Sequence, residues 1–313
     1  MLLQPAMVNH LLAAVGKGRS GLSADQRIAV CGTHRSGTTL LGRVLAVDRG
    51  SRQIFEPFNP GSGIAGLSIY FVAGDWPGND WPLMIDRFFA ADSISFRSLG
   101  GGRLQWLTGT RLAREYAAAM MFRPRRLVLK APFLSLSSRY LIDRHDVQVV
   151  FTVKHPAAFF VSLQRVGWGD SLPFGDLVDQ GVVDAAAVAA APSLAARAGL
   201  FWNIVNRHAL QIVHQRPDAA SIWSHERFCR GPDAEMAGVA NALRIDYSPA
   251  MRQAVNIMAY ADVVRPPPGT INALERNAAA LADDWRDQIS SEDERELRTR
   301  CSGLYGDIVG GAW

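Results

Sequence analysis

Gly32-Thr33-His34-Arg35-Ser36-Gly37-Thr38-Thr39 is the stretch of this chain whose residue types and spacing bear most directly on chemistry. Two glycines with four residues between them bound a tight loop. An apolar run, Ile28 to Cys31, leads into it, and a helical pattern begins at Thr38. Strand, Gly-x-x-x-x-Gly loop and helix make a phosphate cradle, because the loop N–H groups and the helix N-terminus point at one place and favour an anion there. Glycine lets the backbone approach a phosphate without an intervening side chain. The nucleotide-hydrolase form of this loop carries Lys-Ser or Lys-Thr after the second glycine, with the hydroxyl on Mg²⁺. Here Thr38-Thr39 follows Gly37, and the fixed positive charge, Arg35, sits inside the loop. A planar guanidinium suits a 5′-phosphate or a sulfonyl group. Metal-dependent ATP or GTP chemistry is therefore the weaker reading, and an ordinary glycine turn is the plain alternative.

Three more ionisable residues stand at the ends of apolar runs. Glu56 follows Gln53-Ile54-Phe55, Lys130 closes Arg126–Lys130, and Lys154 follows Gln148–Val153. In an open parallel sheet the C-terminal strand ends share one rim, where ligands bind. The three are therefore expected beside the phosphate loop. Plain readings stay open for each. Glu56 is equally a turn carboxylate before Pro57 or an ion-pair partner of Arg35, and Lys130 a surface lysine opening a loop. Pro57 disfavours helical backbone at Glu56 and is expected to keep it extended.

These segments resemble the sulfotransferases that use 3′-phosphoadenosine 5′-phosphosulfate (PAPS). The family's 5′-phosphosulfate loop has the form G-x-x-R-S-G-T-T, which residues 32–39 match. Ile54 to Gly61, IFEPFNPG, resembles the Phe-Glu-Pro segment of carbohydrate sulfotransferases and the Glu-Pro-Phe-Asn form of bacterial relatives. Lys130-Ala131-Pro132 resembles the family's Lys-x-Pro. The histidine that the cytosolic small-molecule enzymes carry just after that lysine is missing, since Ala131, Pro132 and Phe133 follow. Lys154-His155-Pro156 with Ser162 resembles the Arg-x-Pro…Ser segment that grips the 3′-phosphate, with lysine for arginine. His225-Glu226-Arg227-Phe228 resembles a Tyr/His-Glu-Asp-Leu segment and reads as structural. Arg276-Asn277 and Trp285-Arg286 resemble the late Arg-Asn and Trp segments of bacterial members.

The resemblance spans residues 28 to about 290 as short islands. It implies transfer of a sulfuryl group from PAPS to an acceptor hydroxyl. In that expectation Thr33, His34, Arg35, Ser36, Gly37, Thr38 and Thr39 hold the 5′ side, and Lys154, Ser162 and Arg276 the 3′-phosphate. Glu56 is the general base, Lys130 stabilises the bridging oxygens, and no metal is required. His34 and His155 are the reserve candidates for the base. A carbohydrate acceptor is expected from the Phe-Glu-Pro resemblance alone. A P-loop kinase and a non-catalytic nucleotide-binding protein are the alternatives.

These residues need an α/β scaffold. The expected one is a single P-loop NTPase-like three-layer domain over residues 1–313, with a central parallel sheet of about five strands. Gln148–Val153 is a central strand by its near-continuous apolar run. Residues 60–122, rich in glycine and carrying Trp76, Trp81 and Trp106, form a helical insertion expected to build the acceptor side; each tryptophan alone reads better as a core anchor. With 313 residues, 48% hydrophobic and 20% charged, the chain suits one sizeable globular unit. A net charge of +4 suits an anionic cofactor, and the absence of any Lys/Arg block gives no argument for nucleic acid. Lysines occur only at 17, 130 and 154. Cys31, Cys229 and Cys301 make no metal or disulfide pattern, so a reducing compartment is expected. No run has the length of a membrane span or the pattern of a signal peptide, and the expected location is the cytoplasm.

Overall fold

The computed structural model describes residues 21–74, 80–92, 94–97, 103–261, 277–311 and 313. One all-parallel sheet holds β1 (Gln26–Gly32), β2 (Ser51–Phe55), β3 (Arg126–Lys130), β4 (Val147–Val153) and β5 (Ala220–Ser224), in the spatial order β2-β3-β1-β4-β5. The expected α/β class and strand number are observed. β1 lies at the centre, and the connections after β1 and β4 leave it toward opposite edges. That divergence opens a crevice at the strand C-termini.

Successive residues of a strand face opposite layers. Ile28 and Val30 of β1 pack with Val128 and Val150 against the helix Thr38–Leu45 and the helices Pro232–Ala242 and Pro249–Ala259. Ala29 and Cys31 pack on the other face with Leu127, Leu129, Val149 and Phe151. That face is closed partly by the helix Leu194–Gln215, through Ala209 and Ile212. The insertion between β2 and β3 adds Phe58, Trp81, Phe88, Leu112 and Tyr116, and the segment after β3 adds Leu134, Leu141 and Ile142. A further aromatic cluster, with Phe159, Phe201, Trp202 and Tyr305, joins the helices Pro156–Val166, Leu194–Gln215 and Ser291–Val309.

The insertion carries the helices Trp81–Ala90 and Arg103–Phe122, and Trp81 is a core residue at 4% exposure. Among the described residues no helix is long and apolar enough to cross a membrane. Trp76, Arg276 and the side chain of Trp106 lie outside what is described.

Candidate active site

The register of the sheet builds the site. Phe55 at the end of β2 is aligned with Lys130 at the end of β3, and Lys130 is the partner of Val30 in β1. The N–H of Glu56 donates to the Lys130 carbonyl at 2.9 Å, which carries the ladder one residue past β2. Glu56 and Lys130 are thereby forced together, and their side chains form an ion pair. Both groups are largely buried, at 17% and 7% side-chain exposure. Asn59 Nδ2 donates to the second oxygen of Glu56 at 2.7 Å. The ammonium of Lys130 also lies 4.4 Å from the centroid of the Phe55 ring. Burial pulls the Lys130 ammonium below its usual range; Glu56 opposes that pull, and Arg35 adds to it.

Glu56 is not extended. Its φ is 50°, in the left-handed region, although Pro57 follows. The steric rule for pre-proline residues is outweighed by local bonds. The Glu56 N–H is held by Lys130, and its C=O accepts the Asn59 N–H at 3.1 Å as the chain turns off the sheet. A non-glycine residue there carries strain of order 1 kcal/mol or more. The ion-pair partner is Lys130, where the sequence had offered Arg35.

The loop after β1 is braced from beneath. Ser36 Oγ donates to the Thr33 carbonyl at 2.5 Å and lies 2.5 Å from Thr152 Oγ1 of β4. Thr33 Oγ1 is buried with no hydrogen-bond partner among the described residues. The Ser36 side chain therefore faces the sheet, leaving only its backbone for an anion. Gly37 has φ 101°, and a Cβ there would come within 2.7 Å of the Trp223 ring. The loop seats on β5 at this point, so glycine is required by packing on protein as well as by any approach to phosphate. Thr38 and Thr39 open the helix that follows, whose first turn carries no acidic residue and no side-chain cap. Its first N–H groups have no intrahelical acceptor and are oriented for an anion.

A cavity of about 320 Å³ lies over this loop, and residues at or just after all five strand ends line it: Arg35, Glu56, Lys130, Lys154 and His225 among them. Arg35 Nε donates to Ser162 Oγ at 3.2 Å, which joins the two expected subsites. A smaller recess continues past Lys154 and Ser162 to Arg165, Asp284 and Trp285. Arg165 is held by Asp284 at 3.3 Å and Gln288 at 2.9 Å. Lys154 is pulled down to about 8, chiefly by burial, with Glu226 opposing and Arg35 adding.

Of the two histidines, His34 lines the cavity and His155 does not. The His34 ring packs 5.5 Å from Phe201, 5.8 Å from Phe159 and 5.8 Å from Trp168. Burial first, then Arg35 and Lys130, lowers it to about 4, so it is neutral near pH 7. His155 caps the helix Pro156–Val166 by accepting the Ala157 N–H at 3.2 Å, and stacks on Trp285 at 4.5 Å. It lines neither part of the cavity. Among the described residues between 60 and 122, none lines the cavity.

The sequence reading gave no role to Asn59, Arg165, Trp168 or Cys229, and took His225 and Phe228 as structural. The rim rule that found Lys130 and Lys154 applies equally to His225, the first residue after β5. Arg165 was legible as one helical turn beyond Ser162, on the same face. Among the described residues, no group of three or more His, Cys, Asp or Glu side chains gathers as a metal would need.

No protein-family model matches the chain, and no curated protein matches it either. Solved structures with some likeness include a sulfotransferase domain from the curacin biosynthetic pathway, at 16% identity and TM-score 0.47, covering 88% of this chain and 97% of that one. A sulfotransferase from Mycobacterium avium has 13% identity and TM-score 0.45, covering 92% and 82%. A mouse sulfotransferase complexed with PAP has 12% identity and TM-score 0.42, covering 97% and 90%. Likeness at this level carries no argument about activity, which rests on the residues of the cavity.

Proposed function

We propose that this chain is a sulfotransferase that moves a sulfuryl group from PAPS to an acceptor hydroxyl. The observation that carries the reading is one cavity over a glycine loop faced by Arg35, Lys130, Lys154 and Arg165, with Glu56 the single carboxylate among the described residues of its main chamber. Its volume falls in the usual range for small-molecule sites, about 300–1,000 Å³. A bisphosphorylated nucleotide needs positive charge at two points, and we assign the cations to them as follows. Arg35, Lys130 and the helix N-terminus serve the 5′ side. Lys154, Ser162 and Arg165 serve the 3′-phosphate. Thr33, His34, Ser36 and Gly37 contribute backbone, and Thr38 and Thr39 their first-turn N–H groups.

In this reading Glu56 takes the proton of the acceptor hydroxyl as the O–S bond forms. Lys130, tied to Glu56, brings positive charge to the bridging oxygen as the bond to the leaving phosphate breaks. Arg35 neutralises charge at the transferring group. The leaving group departs as a phosphate anion already held by these charges, so the scheme calls on no metal. A carbohydrate is the acceptor we infer, from the Phe-Glu-Pro resemblance, with the 60–122 insertion as its side of the site in a single-domain cytoplasmic enzyme. That insertion reaches the loop through Phe71, 6.1 Å from the His34 ring.

The test is cofactor choice. 3′-Phosphoadenosine 5′-phosphate should raise the melting temperature and ATP with Mg²⁺ should not. Labelled PAPS offered with a panel of sugars and small hydroxyl compounds should then mark an acceptor. A shift with ATP–Mg²⁺ alone would favour a kinase. A shift with the bisphosphate but no transfer to any acceptor would favour a nucleotide-binding protein without catalysis.

A further inference from the structure

β2 is an edge strand of the sheet, and its last two N–H groups point in opposite directions. That of Glu56 points inward, to the Lys130 carbonyl. That of Phe55 points outward, where an edge strand has no neighbouring strand to accept it. It donates instead to Glu115 Oε2 at 2.8 Å, on the helix Arg103–Phe122 of the insertion. The other oxygen of Glu115 accepts from Arg111 Nε at 2.7 Å, one turn earlier on the same helix. The Arg111 guanidinium lies 5.0 Å from the centroid of the Phe55 ring, and the Lys130 ammonium 4.4 Å from the same centroid. Phe55 is thus held at its backbone by a carboxylate and at its ring by two cations. Phe55 and Glu56 line the cavity, and neither Glu115 nor Arg111 does.

The residue after Phe55 is the one under strain. Glu56 keeps a left-handed backbone with a proline following it. Backbone of this kind persists only where its surroundings over-determine it. Lys130 fixes Glu56 from within the sheet, and Asn59 fixes it from the turn beyond. Glu115 fixes the residue before it, from outside the sheet. A backbone N–H bonded to a carboxylate is charge-assisted and roughly twice as strong as a neutral pair. We infer that Glu115 is a positioning residue: by holding the Phe55 N–H it keeps the Glu56 turn in its working geometry, so that the insertion governs transfer from outside the cavity. Glu115 touches no reacting atom in this scheme. The effect on transfer rests on the reading of Glu56 as the general base; the hold on the backbone does not.

The experiment compares Glu115→Ala, which removes the acceptor, with Glu115→Gln, which keeps an oxygen for the Phe55 N–H and loses the charge. Amide exchange of the native chain reads the backbone. In Glu115→Ala the Phe55 and Glu56 amides should exchange at least about tenfold faster, the scale of a lost bond to a charged group, while those of β1 stay unchanged. Glu115→Gln should fall between that variant and the wild type. Labelled-sulfuryl transfer reads the consequence. In Glu115→Ala kcat should fall about tenfold to a hundredfold, the scale for a catalytic group displaced by about 1 Å, with KM for PAPS within about twofold. In Glu115→Gln most of the rate should return. Arg111→Gln, at an exposed site where substitution costs little stability, loosens Glu115 and should give both changes at a smaller scale, which keeps the test open if Glu115→Ala does not fold. Unchanged exchange at Phe55 and Glu56 would overturn the proposal. So would exchange that rises equally in every strand, which marks a general loss of stability, or a rise in KM at unchanged kcat. If the wild-type protein transfers to no acceptor, the proposed function fails instead, and the exchange rates still decide the hold on the turn.

Discussion

The two ends of the sheet make an instructive pair. The larger cavity, about 910 Å³, lies at the N-terminal ends of the strands, and the smaller, about 320 Å³, at the C-terminal ends. The larger is lined by six arginines, at 27, 49, 125, 126, 216 and 244, against aspartates at 25, 48, 146, 218 and 246. Its charges answer one another: Arg126 meets Asp48 at 3.1 Å and Arg216 meets Asp218 at 3.1 Å. Among the described residues, the smaller cavity sets Arg35, Lys130, Lys154 and Arg165 against one lining carboxylate, Glu56. Size does not choose the site. In the proposed reading the excess of one sign does, together with the loop and helix N–H dipoles at the C-terminal end.

Substitutions can break or sharpen that contrast. The largest effect is expected at Glu56. Glu56→Gln should lower transfer by about a hundredfold to ten-thousandfold, the usual cost of losing a general base, while nucleotide affinity stays near normal. Labelled-sulfuryl transfer and a thermal-shift titration read the two quantities separately. Near-normal turnover would move the base elsewhere. Arg35→Ala should weaken binding of 3′-phosphoadenosine 5′-phosphate by about a hundredfold, since a charge-assisted contact contributes up to about 3 kcal/mol. Transfer should fall with it, and calorimetry showing unchanged affinity would remove Arg35 from the site.

Lys154 offers a smaller effect with a sign that can be worked out. Its ammonium is lowered to about 8, so the free protein loses this charge as pH rises through that value. Affinity for a 3′-phosphate should be level below pH 8 and fall above it, by about tenfold in all, the scale of one charge-assisted bond. In Lys154→Arg the guanidinium stays charged and the fall should vanish; in Lys154→Ala affinity should be low at every pH. A pH-independent wild type would sink the assignment. The smallest effect is expected at the other end of the sheet. Asp48→Asn weakens the pair with Arg126 and should lower the melting temperature by about 2 °C. It should leave nucleotide affinity within about twofold, as independent distant sites do. A larger loss of affinity would mean that the two cavities are coupled.

How much of this was legible in the sequence varies with the physics involved. β1, β3 and β4 are buried on both faces and read as apolar runs, and each delivers a charged residue to the rim. The partner of Glu56 was not legible, because pairing with Lys130 depends on the register of β2 against β3, which no local pattern encodes. The backbone of Glu56 was misread because the proline rule considers neighbours alone, and a ladder bond to Lys130 together with a turn bond from Asn59 outweighs it. His34 sits inside the motif, yet its ring goes to an aromatic cluster drawn from Phe159, Trp168 and Phe201, all far along the chain. His225 was passed over because its segment was matched as a word rather than as the end of a strand.

Because each of the five strands delivers a residue to one small cavity, the site has no subset of the chain that could hold its ligand alone. β2 and β5 stand at opposite edges of the sheet, about 170 residues apart in sequence, and both must be docked before the cavity closes. An occupant therefore weighs against every partial opening that releases either edge. At a hundred times its dissociation constant it adds about 2.7 kcal/mol to the native state. Amide exchange at both outer strands should slow in step when the cavity fills, so that a small molecule at the rim acts as a clasp on the whole width of the sheet.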